Sequence, residues 1–183
     1  MDPKLYHRLH STDANPAAFY GLPKNHKPST PLRPMTSCIS SPTCIVSKHL
    51  LSILSLLLNE KYLVKNSAEF AQQIREQQIV EDEVMVSFHV VSQFTSIQVE
   101  LTLQPTCEKL QQDITLPGCT DIFVTNTMRL LEFVLKNSFF AHEQDHYQQT
   151  FDYVKGSPAS TTIANLVMEF IEERAISNAA HPP

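Results

Sequence analysis

The residues HEQDH, from His142 to His146, have the spacing H-E-x-x-H. On a helix, histidines four positions apart share one face and can bind zinc, with Glu143 as the general base of a hydrolase. Glu169 or Glu172 could supply a third zinc ligand. The flanking residues, NSFFA and YQQTF, are instead typical of β-strands. A zinc hydrolase and a solvated hairpin tip are therefore alternative interpretations of this motif.

A second candidate site lies in the segment 15–44, which holds six of the twelve prolines of the chain. These prolines exclude a helix and predict extended segments joined by fixed turns. The segment also carries the basic residues Lys24, His26, Lys27 and Arg33. Cationic side chains on a stiff backbone suit phosphate binding, because little entropy is lost when they bind. The alternative is an exposed loop without a ligand.

Charge is distributed unevenly along the chain. Residues 1–50 have a balance of +4 and the remaining residues a balance of −9, which gives the net charge of −5. The basic N-terminal third is expected to face phosphates, although uneven solvated charge is the simpler alternative.

Composition favours a globular intracellular protein with one domain. The four cysteines form no C-x-x-C pair, so reduced thiols are expected rather than disulfides or a zinc site. The first residues, MDPKLYHRLHSTD, lack the apolar region of a signal peptide. The longest apolar stretch, residues 49–58, is shorter than the roughly 20 residues that span a bilayer. It predicts a buried helix, and no membrane association is expected.

Hydrophobic periodicity and capping residues predict the elements that must position these groups. Helices are expected over residues 47–63 with Ser47 as N-cap, 67–78 with Ser67 as N-cap, 120–138, and 157–178 with Ser157 as N-cap. Residues 99–112 have helical composition, but Pro105 should kink or end that helix. A buried strand is expected to end near His89, and a hairpin over 137–154. This order predicts an α+β fold.

Taken in order, these segments resemble the first half of a reverse transcriptase, most nearly that of Penelope-like retroelements. FYGLPKNHKP and TPLRPMTS are similar to the opening motifs of that family, LPK-x-HKP and LRP. MVSFHVVSQFTSI, residues 85–97, resembles motif A, usually FDVVSLFTSIP. YQQTFDYVKGSPASTTIANLVMEF resembles motif B, Q-x-x-G-x-x-MGSP-x-S-x-x-ANL-x-ME. The resemblance implies a partial right-hand polymerase fold over residues 15–183, with fingers and an incomplete palm, after an N-terminal segment 1–14.

The resemblance also implies roles for individual residues in two-metal nucleotidyl transfer. The family uses Mg²⁺, an RNA template, a DNA primer and a dNTP, and its members act in the nucleus. The implied nucleotide-binding residues are Arg33 at the triphosphate, Phe94 as steric gate, and Gln149, Gly156, Ser157 and Pro158 in the nucleotide pocket. Lys24 and Lys27 would lie near the template or its phosphates.

One departure from the family pattern bears directly on catalysis. His89 stands where motif A places its metal-binding Asp, and imidazole is a poor ligand for Mg²⁺. The YxDD of motif C does not follow motif B in this sequence, nor do thumb and endonuclease domains. We therefore expect a truncated, catalytically inactive fragment of an RNA-directed DNA polymerase that binds no Mg²⁺. The alternatives are a nucleic-acid-binding module without catalysis and the zinc hydrolase.

Overall fold

The computed structural model describes residues 3–12, 14–59, 64, 66–78, 80–90, 98–120, 122–149 and 156–178. The chain forms two compact units. The larger unit comprises Met1–Leu58 and Gln93–Pro183, and the smaller unit comprises Asn59–Ser92. Helices and strands are both present, so the α+β class predicted from the element order is confirmed.

The larger unit contains a four-stranded mixed sheet with the order β2-β1-β3-β4. Its strands are β1 (Ala17–Pro23), β2 (Leu32–Ser37), β3 (Phe139–His142) and β4 (Asp145–Gln148). β1 pairs antiparallel with β2 and parallel with β3, and β3 pairs antiparallel with β4. Pro34 lies on β2, an edge strand, where a missing backbone N–H is tolerated.

Aromatic rings connect three of these strands on one face of the sheet. Phe19 of β1 stacks on Phe140 of β3 with 5.1 Å between ring centroids. Phe140 stacks in turn on Tyr147 of β4 at 5.4 Å. Cross-strand aromatic pairs of this kind stabilise a sheet beyond the area that they bury.

Six helices of the described chain belong to the larger unit. They are α1 (Pro3–Leu9), α2 (Cys44–Leu54, extended by a 3₁₀ turn over Ser55–Leu57), α4 (Val99–Gln112), α5 (Leu116–Cys119), α6 (Val124–Lys136) and α7 (Ser160–Ser177). The smaller unit contains α3 (Ser67–Glu76). Within the described ranges, no helix combines the length and hydrophobicity that a membrane span requires.

The core of the larger unit lies where α2, α4, α6 and α7 pack together. Each helix contributes residues spaced three or four positions apart, as expected for an amphipathic helix. The fully buried members include Leu50, Leu54, Leu110, Leu131, Ile163, Leu166 and Val167. Apolar residues of α6 and α7 are buried at helical spacing, whereas Ile171 of α7 is 42% exposed.

The helix boundaries differ from the prediction by a few residues. α2 begins at Cys44, so Ser47 is buried inside the helix instead of capping it. The cap of α3 is Asn66, whose side chain accepts a hydrogen bond of 2.9 Å from the backbone N–H of Glu69. α7 begins at Ser160, three residues after the predicted cap Ser157.

Pro105 does not end its helix. α4 continues through this residue to Gln112, and Pro105 itself is buried. Thr102, Thr106 and Leu110 follow one side of α4 and are also buried. Packing of this side against the core offsets the hydrogen bond that proline removes from the helix.

The strand predicted to end near His89 is absent. Residues 83–90, in the smaller unit, form neither helix nor strand. Val84 is 82% exposed and Phe88 is 90% exposed, so the segment is not buried either. The prediction rested on β propensity, but a strand also needs a neighbour for its backbone N–H and C=O groups. No strand in the described ranges pairs with this segment.

Candidate functional site

The tip of the β1–β2 hairpin carries the basic residues of the Pro-rich segment. The backbone N–H of Lys24 donates to the carbonyl of Pro31 at 3.0 Å, and that of Lys27 donates to the carbonyl of Lys24 at 3.0 Å. Ser29 and Thr30 have positive φ angles of 61° and 40°, which turn the chain back into β2. The loop backbone is therefore fixed, while Lys27 is exposed and Lys24 is half-buried.

Arg33 lies on β2, near the tip of this hairpin. It is directly opposite Leu22 in the antiparallel register and is exposed. Side chains alternate between the two faces of a strand, so Arg33 and Thr36 project from opposite faces of β2. Arg33 thus belongs with Lys24 and Lys27 on the hairpin rather than with the residues that pack around Thr36.

The turn before α7 packs directly against β2. Gly156 has a φ of +123°, a conformation that residues with a side chain rarely adopt. A Cβ atom built on Gly156 would lie 2.2 Å from the carbonyl oxygen of Thr36 and 3.1 Å from its carbonyl carbon. Both the angle and the close approach require glycine at this position.

Gln149 and Ser157 meet beside the same part of β2. They line a small cavity together with Thr36, Cys38 and Phe140. The backbone N–H of Gln149 donates to the carbonyl of Ser138 at 2.8 Å, which holds Gln149 at the beginning of β3. Three of the predicted nucleotide-binding residues, Gln149, Gly156 and Ser157, are therefore brought together, and the half-buried Pro158 follows them.

The cavity has a volume of about 10 Å³. That is the space of about one water molecule. The described residues around Thr36 are thus in close contact, and a nucleotide-binding role for them stays a prediction. The local sequence signal for this cluster was the turn in KGSPAS, residues 155–160, followed by a helix.

Cys38 and Cys44, whose spacing in the sequence matches no motif, lie next to this cavity. The Sγ atoms of Cys38 and Cys44 are 3.6 Å apart, and both residues are buried. Burial, together with the neighbouring Cys44 thiol, raises the pKa of Cys38 to about 12. Both thiols are free. A separation of six residues gives no recognisable motif, so the pair could not be found from sequence.

The H-E-x-x-H residues lie in the β3–β4 hairpin, as the flanking pattern indicated, and not on a helix. His142 pairs with Asp145, and His146 pairs with Ala141. The two histidines therefore project from opposite faces of the hairpin. Glu143 forms the turn with a φ of 57°. The helical geometry that the zinc hydrolase interpretation requires is not present.

The carboxylates considered as third zinc ligands lie on α7. Glu169 is 2% exposed and forms an ion pair with Lys109 of α4. Glu172 is exposed on the same helix. Glu169 thus has a structural partner, and neither residue belongs to a metal-binding group within the described part of the chain.

His89 is an exposed residue of the smaller unit, and Phe94 lies outside the described residues. No group of three or more His, Cys, Asp or Glu side chains that could hold a metal ion occurs within the described ranges. Mg²⁺ requires several oxygen ligands in octahedral geometry, and His89 supplies a ring nitrogen. The described residues therefore do not fit the two Mg²⁺ ions of the family chemistry.

Comparisons with family models and with curated proteins identified no relative of this chain. No family model and no curated protein matches this chain. The resemblance to reverse transcriptases therefore depends on the order of the motifs in the sequence itself.

Proposed function

We propose that this chain is part of an RNA-directed DNA polymerase of retroelement origin and that it does not itself polymerise. The motifs that support this proposal extend from about residue 15 to residue 170 and follow the order of the polymerase family. A single short motif arises readily by chance, whereas three long motifs in the correct order do not.

The observation that carries the proposal is the contact between Gly156 and Thr36. It joins two segments, LRPMTS and GSPAS, that are about 120 residues apart in the sequence and that both belong to motifs of the resemblance. The positive φ of Gly156 explains why a glycine stands in the second motif. These segments are specifically packed, which favours a shared ancestral site over coincidental similarity.

The inactivity follows from the chemistry of His89. Two-metal nucleotidyl transfer needs carboxylate oxygens to hold the cations that activate the primer hydroxyl and the leaving pyrophosphate. A neutral imidazole in place of the motif A carboxylate also removes a negative charge that would offset the cations. RNA template, DNA primer and dNTP, the ligands of the family, could still be bound by other residues.

Primer extension tests the proposed inactivity. The full chain is incubated with a DNA primer annealed to an RNA template, the four dNTPs and Mg²⁺. We expect no extension above a reaction without protein, and extension by the wild-type chain would refute inactivity. The His89→Asp variant is the matched control, because extension by this variant alone would show that the lost carboxylate accounts for the inactivity and would support the polymerase origin.

A second candidate function is nucleic-acid binding without catalysis, and the β1–β2 hairpin favours it. Lys24, Lys27 and Arg33 lie on one hairpin whose loop backbone is held by hydrogen bonds. Phosphate contacts need no catalytic acid, and they release counterions, so the affinity falls as salt rises.

Binding of single-stranded RNA at several salt concentrations tests this second function. Replacing Lys24, Lys27 and Arg33 by Glu should weaken binding. The fall of the logarithm of the binding constant with the logarithm of the salt concentration should become less steep, by about 2 in slope. The control reverses Arg75 and Arg129, which are exposed on α3 and α6, and should change both quantities less. Equal binding by the hairpin variant and the wild type would contradict the assignment.

A further inference from the structure

A cavity of about 910 Å³ lies beside α1 and α2, at the beginning of α6. It shares no residue with the β1–β2 hairpin or with the contact between Gly156 and Thr36. Small-molecule sites typically have volumes of about 300–1,000 Å³, so the cavity is large enough for a ligand of that size. No motif of the sequence pointed to it.

Basic side chains from two helices line the cavity. Lys4 and Arg8 are four residues apart and lie on one face of α1, while Lys48 comes from α2. Among the described residues that line the cavity, none is acidic. Arg8 and Lys48 form no ion pair with another described residue. An anion entering the cavity would therefore meet the side chains of Arg8 and Lys48, which no described neighbour neutralises.

His49 lines the same cavity and carries a buried ring nitrogen. Its Nε2 is buried and has no hydrogen-bond partner within the described part of the chain. A buried polar atom without a partner is unfavourable, and a small shift of the ring that let a ligand hydrogen-bond to it would remove this cost. Burial, with a smaller effect from Arg8, lowers the pKa of His49, so the ring is neutral at neutral pH. The neutral ring can carry its proton on Nε2 and donate it to an oxygen.

The remaining wall of the cavity is largely apolar. Leu9 and Ile53 are core residues that also line it, and Leu130 packs against the same core. Phe123 lies at its edge and is 80% exposed, although aromatic side chains are usually buried. Exposed aromatic rings beside cations are typical of sites where a nucleobase stacks and a phosphate is neutralised.

We propose that this cavity binds a nucleoside phosphate, with its phosphate oxygens facing Arg8, Lys48 and His49 and its base packed against Phe123. The nucleoside phosphate is either a free nucleotide or one unit of a single-stranded nucleic acid. The proposal does not depend on the polymerase origin of the chain, since it uses none of the motif residues.

Fluorescence anisotropy of mant-labelled ATP, titrated with the full chain, tests the proposal. Arg8→Gln, Lys48→Gln and His49→Ala should each weaken binding by about tenfold, the usual effect of losing one hydrogen bond to a charged group. The matched control is Arg129→Gln, because Arg129 is exposed on α6 and does not line the cavity. Circular dichroism of each variant verifies that the fold is retained.

Competition experiments identify the source of the nucleoside phosphate. Short oligouridylate that displaces the probe at lower concentration than UTP would indicate a single strand, and the reverse order would indicate a free nucleotide. A larger loss of probe binding on reversing the charges of Lys24, Lys27 and Arg33 than on Arg8→Gln would place the probe at the hairpin and overturn the proposal. Absence of binding at millimolar probe, or wild-type affinity of both Arg8→Gln and Lys48→Gln, would overturn the proposal.

Discussion

Replacing Gly156 by alanine tests the contact that joins the turn before α7 to β2. A Cβ atom at this position would lie 2.2 Å from the carbonyl oxygen of Thr36, so the two segments would have to separate by about 1 Å to reach ordinary contact. The φ of +123° adds backbone strain that an alanine cannot avoid. The turn and the edge of the sheet can therefore not both keep their positions.

The expected loss of stability follows from these two effects. A non-glycine residue held in a rarely populated backbone region costs about 1–3 kcal/mol, and overpacking costs a similar amount. Gly156→Ala should therefore lower the free energy of unfolding by about 2–5 kcal/mol, a large part of the 5–15 kcal/mol typical of a folded protein. With a slope near 2 kcal/mol per molar urea, the unfolding midpoint falls by about 1–2.5 M.

Urea unfolding followed by far-UV circular dichroism measures this change, because the chain has no Trp for fluorescence. The other two glycines are matched controls. Gly118 has no atom within 4 Å of its built Cβ, so Gly118→Ala should leave stability unchanged or raise it slightly. At Gly21 the contact is the Leu32 side chain at 3.0 Å, which is 65% exposed and can move. A Gly156→Ala protein as stable as Gly118→Ala would refute the reasoning.

Further predictions concern three groups of residues. Lys109→Met should lower the free energy of unfolding by about 3 kcal/mol in urea denaturation, because it removes an ion pair from the buried carboxylate of Glu169. The pKa of His49 is lower in the folded chain than in the unfolded chain, so the unfolded chain binds a proton more readily. The free energy of unfolding should therefore fall as the pH drops below about 6.5, and it should fall less in His49→Gln. Iodoacetamide at pH 8 should modify the exposed Cys119 at least about tenfold faster than the buried Cys38, whose thiol has a raised pKa, as measured by peptide mass spectrometry.

Each of these predictions has a control and a contradicting outcome. Lys136→Met removes the exposed ion pair with Glu132 and should have little effect, so equal losses at Lys109 and Lys136 would contradict the first. An identical pH dependence of the wild type and His49→Gln would contradict the second. In urea, where the chain is unfolded, the two cysteines should react equally fast. If they also reacted at the same rate in the native chain, the third prediction would be contradicted.

The elements that the sequence predicted correctly depend on local chemistry. The prolines of residues 15–44 exclude a helix, and β1 and β2 are extended as expected. The alternating aromatic residues around HEQDH form the β3–β4 hairpin, and α6 and α7 follow their apolar periodicity. Propensity and periodicity act within a few residues, so they can be recognised without knowledge of the rest of the chain.

The strand that was predicted wrongly and the continuation of α4 past Pro105 both depend on distant contacts. Residues 83–90 have strand-like composition but no pairing strand among the described residues. α4 passes Pro105 because its buried side packs against the core. In both segments the environment, rather than local propensity, determined the outcome.

The sequence by itself determined the α+β class and the Pro-stiffened extended segments with their basic residues. These features depend on residue identity and short-range order. Tertiary structure decided that Gly156 meets Thr36, that Cys38 meets Cys44, and that Arg8 and His49 line one cavity. Such contacts form because packing of apolar helix faces brings together residues that no local pattern connects.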